Sequence, residues 1–152
     1  MPLITGTEVA SAVSKRIRDN FTAEEIKTIY INKPNQDAEE NKPYAFIGIV
    51  DVMQNPELRQ RANRSYIVEV RIHPPTYQDN INTWAAKIGE KLCFTLKDIL
   101  VLDYPVKAVT MEYRVIDDVL IFTGTYRFKV IESVERLPFM ETLETNFYGQ
   151  RG

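Results

Sequence analysis

The sequence is poor in the residue types that most often carry chemistry. It has one cysteine, Cys93, and one histidine, His73. A single cysteine excludes an intramolecular disulfide and a cysteine-based zinc site, and it fits folding in a reducing cytoplasm. The N-terminal MPLITGTEVAS has no basic stretch followed by a long apolar run, and no segment reaches the roughly 18 apolar residues of a membrane span. We therefore expect the protein to stay in the compartment where it is made.

A large charge imbalance, a glycine-rich motif and internal repeats are also missing. The formal net charge is −2, so the overall charge does not favour binding to nucleic acid or to an anionic membrane. The chain has 6 glycines, and none has GxGxxG or GxxxxGK[ST] spacing, which predicts no phosphate-binding loop. What is present is a globular composition, 44% hydrophobic and 26% charged over 152 residues. That length is sufficient for one domain with its own core.

Each candidate for catalysis has a simpler structural interpretation. His73 ends an alternating segment just before two prolines and has no second metal ligand at HxH or HExxH spacing. Cys93 is interpreted as a small core residue. The acidic pairs belong to turns or solvated loops, where carboxylates lack the burial that shifts a pKa; they are Glu24-Glu25, Glu39-Glu40 and Asp117-Asp118. We predict no catalytic, cofactor-binding or metal-binding residues.

Two segments have helical periodicity. Apolar residues recur every four positions from about residue 7 to 21, and Thr5 with Glu8 has the spacing of a capping box. A second apolar stripe runs from about 80 to 96, with Asp79 or Asn80 as its cap. Its members are Ile81, Trp84, Ala85, Ile88 and Leu92.

The other ordered segments have strand patterns. A short strand is predicted at 28–32, a central strand that is apolar on both faces at 44–53, and an alternating strand at 65–73. A long hairpin follows, with Val109, Met111, Tyr113 and Val115 facing the core on its first strand. Asp117-Asp118 forms its turn, and the returning strand alternates from Leu120 to Val130.

These elements predict an α+β fold of two layers, in which an antiparallel or mixed sheet is packed by two amphipathic helices in the order α-β-β-β-α-β-β. Residues 1–136 are predicted to form a single domain. Residues 137–152 are predicted to be a C-terminal tail. The tail is too apolar to be a free disordered end, so it either packs on its own domain or reaches a neighbouring subunit.

Two connections and the tail are candidates for contacts with other molecules. The 33–43 segment is acidic and predicted to be an exposed, mobile loop, whereas the 54–64 connection is basic. The arginines of this connection could bind phosphates or carboxylates, or they could belong to a solvated loop. If they bind a partner, a protein is favoured over a nucleic acid, because no aromatic residue is interleaved to stack on bases. The predicted interface residues are Asp37, Glu39, Glu40, Arg59, Arg61, Arg64, Phe139, Phe147 and Tyr148.

The local sequence resembles one known family over about residues 5–131. TGTEVASAVSKRI is followed by TIYINKPNQ, YAFIGIVDVM and SYIVEVRIHP, then by a helix centred on Trp84 and by MEYRVIDDVLIFTGTYRFKV. This pattern resembles the tail terminator (tail completion) proteins of tailed phages, especially those of phages and phage-tail-like particles from Gram-positive bacteria.

The resemblance implies a structural role without catalytic residues or cofactors. Such proteins form a ring, usually a hexamer, on the head-proximal end of the tail tube, made in the host cytoplasm and then part of the virion tail. The ring stops tube polymerisation and offers a surface to the head connector. The implied partners are copies of the chain itself, the tube protein, and the sheath and connector proteins, with no membrane and no sequence-specific nucleic acid.

Other functions remain open from the sequence. The nearest is another joining role in the phage particle, as a head-completion, neck or sheath-end protein. A small ligand-binding or regulatory α+β domain would be a monomer or dimer with an apolar pocket. A hydrolase would need several polar groups that converge in a cleft.

Overall fold

The computed structural model describes residues 4–31, 42–57, 61–75 and 80–131. Within these ranges the elements are α1 (Gly6–Asn20), β1 (Thr28–Ile31), β2 (Tyr44–Pro56), β3 (Arg61–His73), α2 (Ile81–Leu96), β4 (Asp98–Val101), β5 (Tyr104–Ile116) and β6 (Val119–Ile131). The predicted α+β class with two helices on a mixed sheet is confirmed.

Both helices begin at the residues that the sequence signals. At α1, the Glu8 carboxylate accepts the backbone N–H of Thr5 at 2.9 Å and also contacts its hydroxyl; these hydrogen bonds, the side-chain one first, hold the pKa of Glu8 below its usual value. At α2, the Asn80 side chain accepts the backbone N–H groups of Asn82 and Thr83 at 3.1 and 3.2 Å. No helix of the described ranges is long and apolar enough to cross a membrane.

The sheet has the strand order β1-β2-β3-β6-β5-β4. Only β1 and β2 run parallel, and the other neighbours are antiparallel. The predicted alternation of β3 is confirmed, because Tyr66, Val68, Val70 and Ile72 are buried. They pair with buried residues of β6, such as Phe122 and Tyr126. This face carries both helices and forms the core with their stripes.

The predicted turn of the closing hairpin is confirmed. Asp117 and Asp118 both have positive φ, 51° and 63°, which is the backbone of a type I′ turn and matches the twist of the flanking strands. The β4–β5 connection is of the same kind, with φ values of 49° at Leu102 and 69° at Asp103.

Two features of this region differ from the prediction. The strand β4 was not expected, since four residues are too few to show a period. Val109 was predicted to face the core but is exposed, because the register of β5 against β6 shifts between Ala108 and Thr110. Such a bulge moves the following side chains to the opposite face of the sheet and bends the strand. The first part of β5 therefore pairs with β4, and the remainder pairs with β6.

Candidate assembly interface

Residues 54–56 and 61–64 of the basic connection belong to β2 and β3, so the interpretation of these residues as a loop was wrong. The β2–β3 pairing continues from Gln54↔Arg64 to Pro56↔Ala62, and on the other side β3 pairs with β6 as far as Arg61↔Ile131. A ladder is made by backbone hydrogen bonds, so polar side chains do not end it. We call residues 50–57 and 61–65 the hairpin arm.

Arg64 is held inside the hairpin arm. Its Nε donates to Oε1 of Gln54 at 2.7 Å, and a terminal nitrogen lies 3.4 Å from the Tyr66 hydroxyl. That hydroxyl donates in turn to the carbonyl of Ile4 at 2.9 Å. Arg64 therefore connects the two strands of the arm to the segment before α1, which gives it a structural task.

Arg61 is placed differently. It is exposed on β3, and its carbonyl accepts the backbone N–H of Glu57 at 2.6 Å across the end of the arm. The Glu57 carboxylate lies 3.6 Å from Nζ of Lys129. Within the described ranges, no ion pair engages the Arg61 guanidinium, so its charge is available to another molecule.

The other predicted interface residues lie outside the described residues. They are Asp37, Glu39 and Glu40 of the acidic segment, Arg59 of the basic connection, and Phe139, Phe147 and Tyr148 of the tail. The division into a 1–136 domain and a 137–152 tail also remains a prediction. Of the nine residues, only Arg61 and Arg64 have a described position, and both lie on one strand.

An exposed strand edge runs along the hairpin arm. The first half of β2 is central as predicted, with β1 paired to Tyr44–Ile47 and β3 on the other side. The second half differs, because no described strand pairs with residues 50–56 on the side opposite β3. Val50, Val52 and Met53 are 53%, 48% and 50% exposed there. Their apolar character was interpreted as burial on two faces, yet these side chains are exposed.

A second exposed edge lies at the other end of the sheet, on β4. This strand pairs only with β5 among the described strands. Phe94 and Leu100 are 75% and 60% exposed, and Leu102 and Tyr104 are exposed as well. Beside β4 lies a groove against α1, lined by Ala12, Lys15, Arg16, Asp19, Asp98, Ile99, Leu100 and Pro105. Sequence reasoning missed this surface because it missed β4; the apolar DILVL run was the available signal.

His73 and Cys93, which were considered for catalysis, lie in surroundings that favour a structural role. The His73 ring stacks on Tyr44, with 4.3 Å between centroids and 13° between planes. Burial, followed by the nearby Glu90 charge, raises the pKa of the Cys93 thiol, which disfavours the nucleophilic thiolate. Across the described parts of the chain, no group of His, Cys, Asp and Glu residues could hold a metal ion.

The acidic residue Glu25 also has a structural role. Its carboxylate accepts from Nζ of Lys91 at 2.7 Å and from the backbone N–H of Thr22 at 2.9 Å. Partial burial acts to raise the pKa of Glu25, but these hydrogen bonds outweigh it and hold the pKa below its usual value. The pair ties the α1–β1 connection to α2.

Comparison with known proteins finds a matching family model. The family model described as "Phage tail terminator protein" matches residues 8–138, a range that includes α1 from Glu8 onward, α2 and all six described strands. No curated protein matches the chain.

Proposed function

The chain belongs to the phage tail terminator family, and we propose that it forms a ring on the head-proximal end of the tail tube. In this proposal the ring ends tube polymerisation and presents a surface to the head connector. The family is a structural one, so a structural role in the phage tail follows directly, together with contacts to tail and head components.

The observation that supports a ring most is the pair of open edges. A ring requires a heterologous contact, in which one surface of a subunit meets a different surface of its neighbour. Among the described strands, the second half of β2, beyond the reach of β1, and β4 at the far end of the sheet carry exposed apolar side chains and have no further neighbour. Ordinary monomers cover or charge such edges. A hexamer is the ring size that the family resemblance favours.

The charged segments are proposed as further contacts that set register and exclude wrong partners. These are the acidic Asp37, Glu39 and Glu40, the basic Arg59 and Arg61, and the tail residues Phe139, Phe147 and Tyr148. Arg64 was predicted with them, but we assign it to the hairpin arm because it bonds to Gln54 and Tyr66 there. Tail residues 137–152 are proposed to pack on a neighbouring subunit.

Arg61 allows the sharpest test of the charged contact. Because its guanidinium is exposed, Arg61→Glu should leave the free energy of unfolding within about 0.5 kcal/mol and reduce ring formation or tail capping at least tenfold. Capped tails can be counted by electron microscopy after complementation of a phage that lacks the gene.

Arg64→Gln is the matched control, because it removes a neighbouring arginine that bonds within the arm. It should lower stability and affect capping only through the amount of folded protein. If Arg61→Glu, and also the triple reversal with Arg59→Glu and Arg64→Glu, caps tails to normal length, the charged contact is wrong.

A further inference from the structure

One surface of the described structure combines a strand edge with a groove. Among the described strands, β4 pairs only with β5, and Leu100 on β4 is largely exposed. The groove between β4 and α1 has an apolar part made by Ala12, Ile99, Leu100 and Pro105. A strand edge of this kind can take up an extended peptide, which adds a strand through backbone hydrogen bonds and places alternate side chains in pockets.

Apolar content identifies the part of this chain that suits such a surface. Five segments lie outside the described ranges, and four of them carry at most two apolar side chains each: 1–3, 32–41, 58–60 and 76–79. The fifth segment, 132–152, carries Val134, Leu137, Phe139, Met140, Leu143, Phe147 and Tyr148. The C-terminal tail is therefore the segment with enough apolar side chains to fill the groove and cover Leu100.

The starting point and the length of the C-terminal tail allow it to reach β4 of another subunit. Because β5 and β6 are antiparallel, Ile131 at the end of β6 lies at the same end of the sheet as Tyr104, which pairs with the last residue of β4. Residues 132–152 span at most roughly 70 Å when extended, whereas a domain of this size has a radius of gyration of about 15 Å. The tail can thus cross a subunit boundary.

Charge permits this contact without selecting it. The edge and the groove carry four cations and three anions, namely Lys15, Arg16, Lys97 and Lys107 with Asp19, Asp98 and Asp103. Within residues 137–148 the charged side chains are Glu141 and Glu144. A slightly positive surface would meet a negative segment, so apolar content and reach are the properties that select the tail.

We propose that the β4 edge and the α1 groove of one subunit bind the C-terminal tail of the neighbouring subunit, with part of residues 137–148 added to β4 as a strand. This docking rests on the proposed ring and specifies where the tail binds. An edge and a tail are unlike surfaces, so the contact is heterologous and its repetition uses one edge and one tail of every subunit. A tail bound to its own subunit would occupy both surfaces without joining two subunits.

Photo-cross-linking on assembled phage tails tests the docking. The photoreactive residue p-benzoylphenylalanine in place of Leu100 should capture the C-terminal tail of the next subunit and give a ladder of covalent multimers. Trypsin cleaves after Arg136 and Arg151, so mass spectrometry should find the captured peptide to be 137–151. The same group in place of Ile116 is the control, because Ile116 is an exposed residue at the opposite end of β5. It should not capture this peptide.

Charge substitutions in the full-length chain give an independent readout. The double variant Phe139→Glu and Phe147→Glu should reduce the yield of rings at least tenfold, measured by light scattering or on isolated phage tails, because burial of an unpaired charge is unfavourable. Thr142→Glu with Thr145→Glu is the matched control. It adds the same charge to the same segment and keeps every apolar side chain, so it should form rings at close to the wild-type yield.

The outcomes separate the docking from the ring. Rings of normal size overturn the docking and leave the ring standing if the group at position 100 captures no 137–151 peptide, captures it only within one chain, or captures a tube or connector protein instead. Normal ring yield with Phe139→Glu and Phe147→Glu also overturns the docking. If the wild-type chain forms no ring even on tail tubes, the proposed function fails and the docking fails with it.

Discussion

Tyr126→Phe is expected to lower the free energy of unfolding by about 1–3 kcal/mol, the cost of leaving a buried acceptor without its donor. Tyr126 on β6 is fully buried, and its hydroxyl donates to the carbonyl of Leu96 at 2.6 Å. Leu96 is the last residue of α2, where carbonyls have no partner within the helix. The hydroxyl thus joins the central sheet to the end of a helix. Chemical denaturation of the two proteins measures the difference.

Tyr113→Phe is the matched control. It removes the same atom from a hydroxyl that donates to Glu90 at 3.0 Å in an exposed position. Water replaces that partner, so the loss should be clearly smaller than that of Tyr126→Phe. Equal losses in the two variants would contradict the importance given to the buried bond.

The buried Tyr126 hydroxyl also predicts that the free energy of unfolding falls at alkaline pH. Burial raises the pKa of the Tyr126 hydroxyl well above its usual range, whereas in the unfolded chain it titrates near pH 10. Above about pH 10 the unfolded state loses this proton and the folded state keeps it, so stability falls as pH rises, by up to about 1.4 kcal/mol per pH unit. Tyr126→Phe should reduce that slope. An unchanged slope would show that the hydroxyl is not buried as described.

Gly89→Ala is expected to destabilise the fold by about 1–2 kcal/mol, although alanine is the better helix former. Gly89 lies in α2 directly over the Tyr113 ring, and a Cβ there would come within 2.5–2.8 Å of three ring atoms. Overpacking of this kind costs about 1–3 kcal/mol, which exceeds the gain of about 1 kcal/mol from helix propensity. The close approach of α2 to β5 therefore depends on this glycine.

A double-mutant cycle isolates the cause. In a Tyr113→Ala background the ring is gone, so Gly89→Ala should become neutral or stabilising, with a coupling energy above about 1 kcal/mol. Gly48→Ala is a control of the same chemistry, because its Cβ would lie 3.6 Å from the Phe46 ring, an ordinary contact. A loss that persists without the Tyr113 ring would contradict the steric explanation.

The elements with a clear period could be predicted from the sequence. Both helices, the caps at Thr5 and Asn80, the inward residues of β3 and β6, and the Asp117-Asp118 turn were found because a helix or strand repeats its pattern over several residues. The family could also be recognised, because the same segments occur in the same order.

The features that sequence reasoning missed depend on which strands pair, and the apolar pattern within one segment does not encode that pairing. Val52 is exposed because burial depends on which elements pack on each part of β2, and the apolar run at 44–53 does not encode that. Val109 faces outward because of one bulge, and β4 is too short for a period. Arg61 and Arg64 looked alike in sequence, yet only the cross-strand position of Gln54 distinguishes a structural arginine from an available one.

The length of tails assembled without this protein tests the central claim most directly. A phage or tail-like particle with this gene deleted should produce tubes of heterogeneous, excessive length by electron microscopy, because nothing ends tube polymerisation. Complementation with the wild-type chain should restore a single length. Tubes of normal length in the deletion would contradict the role in ending polymerisation.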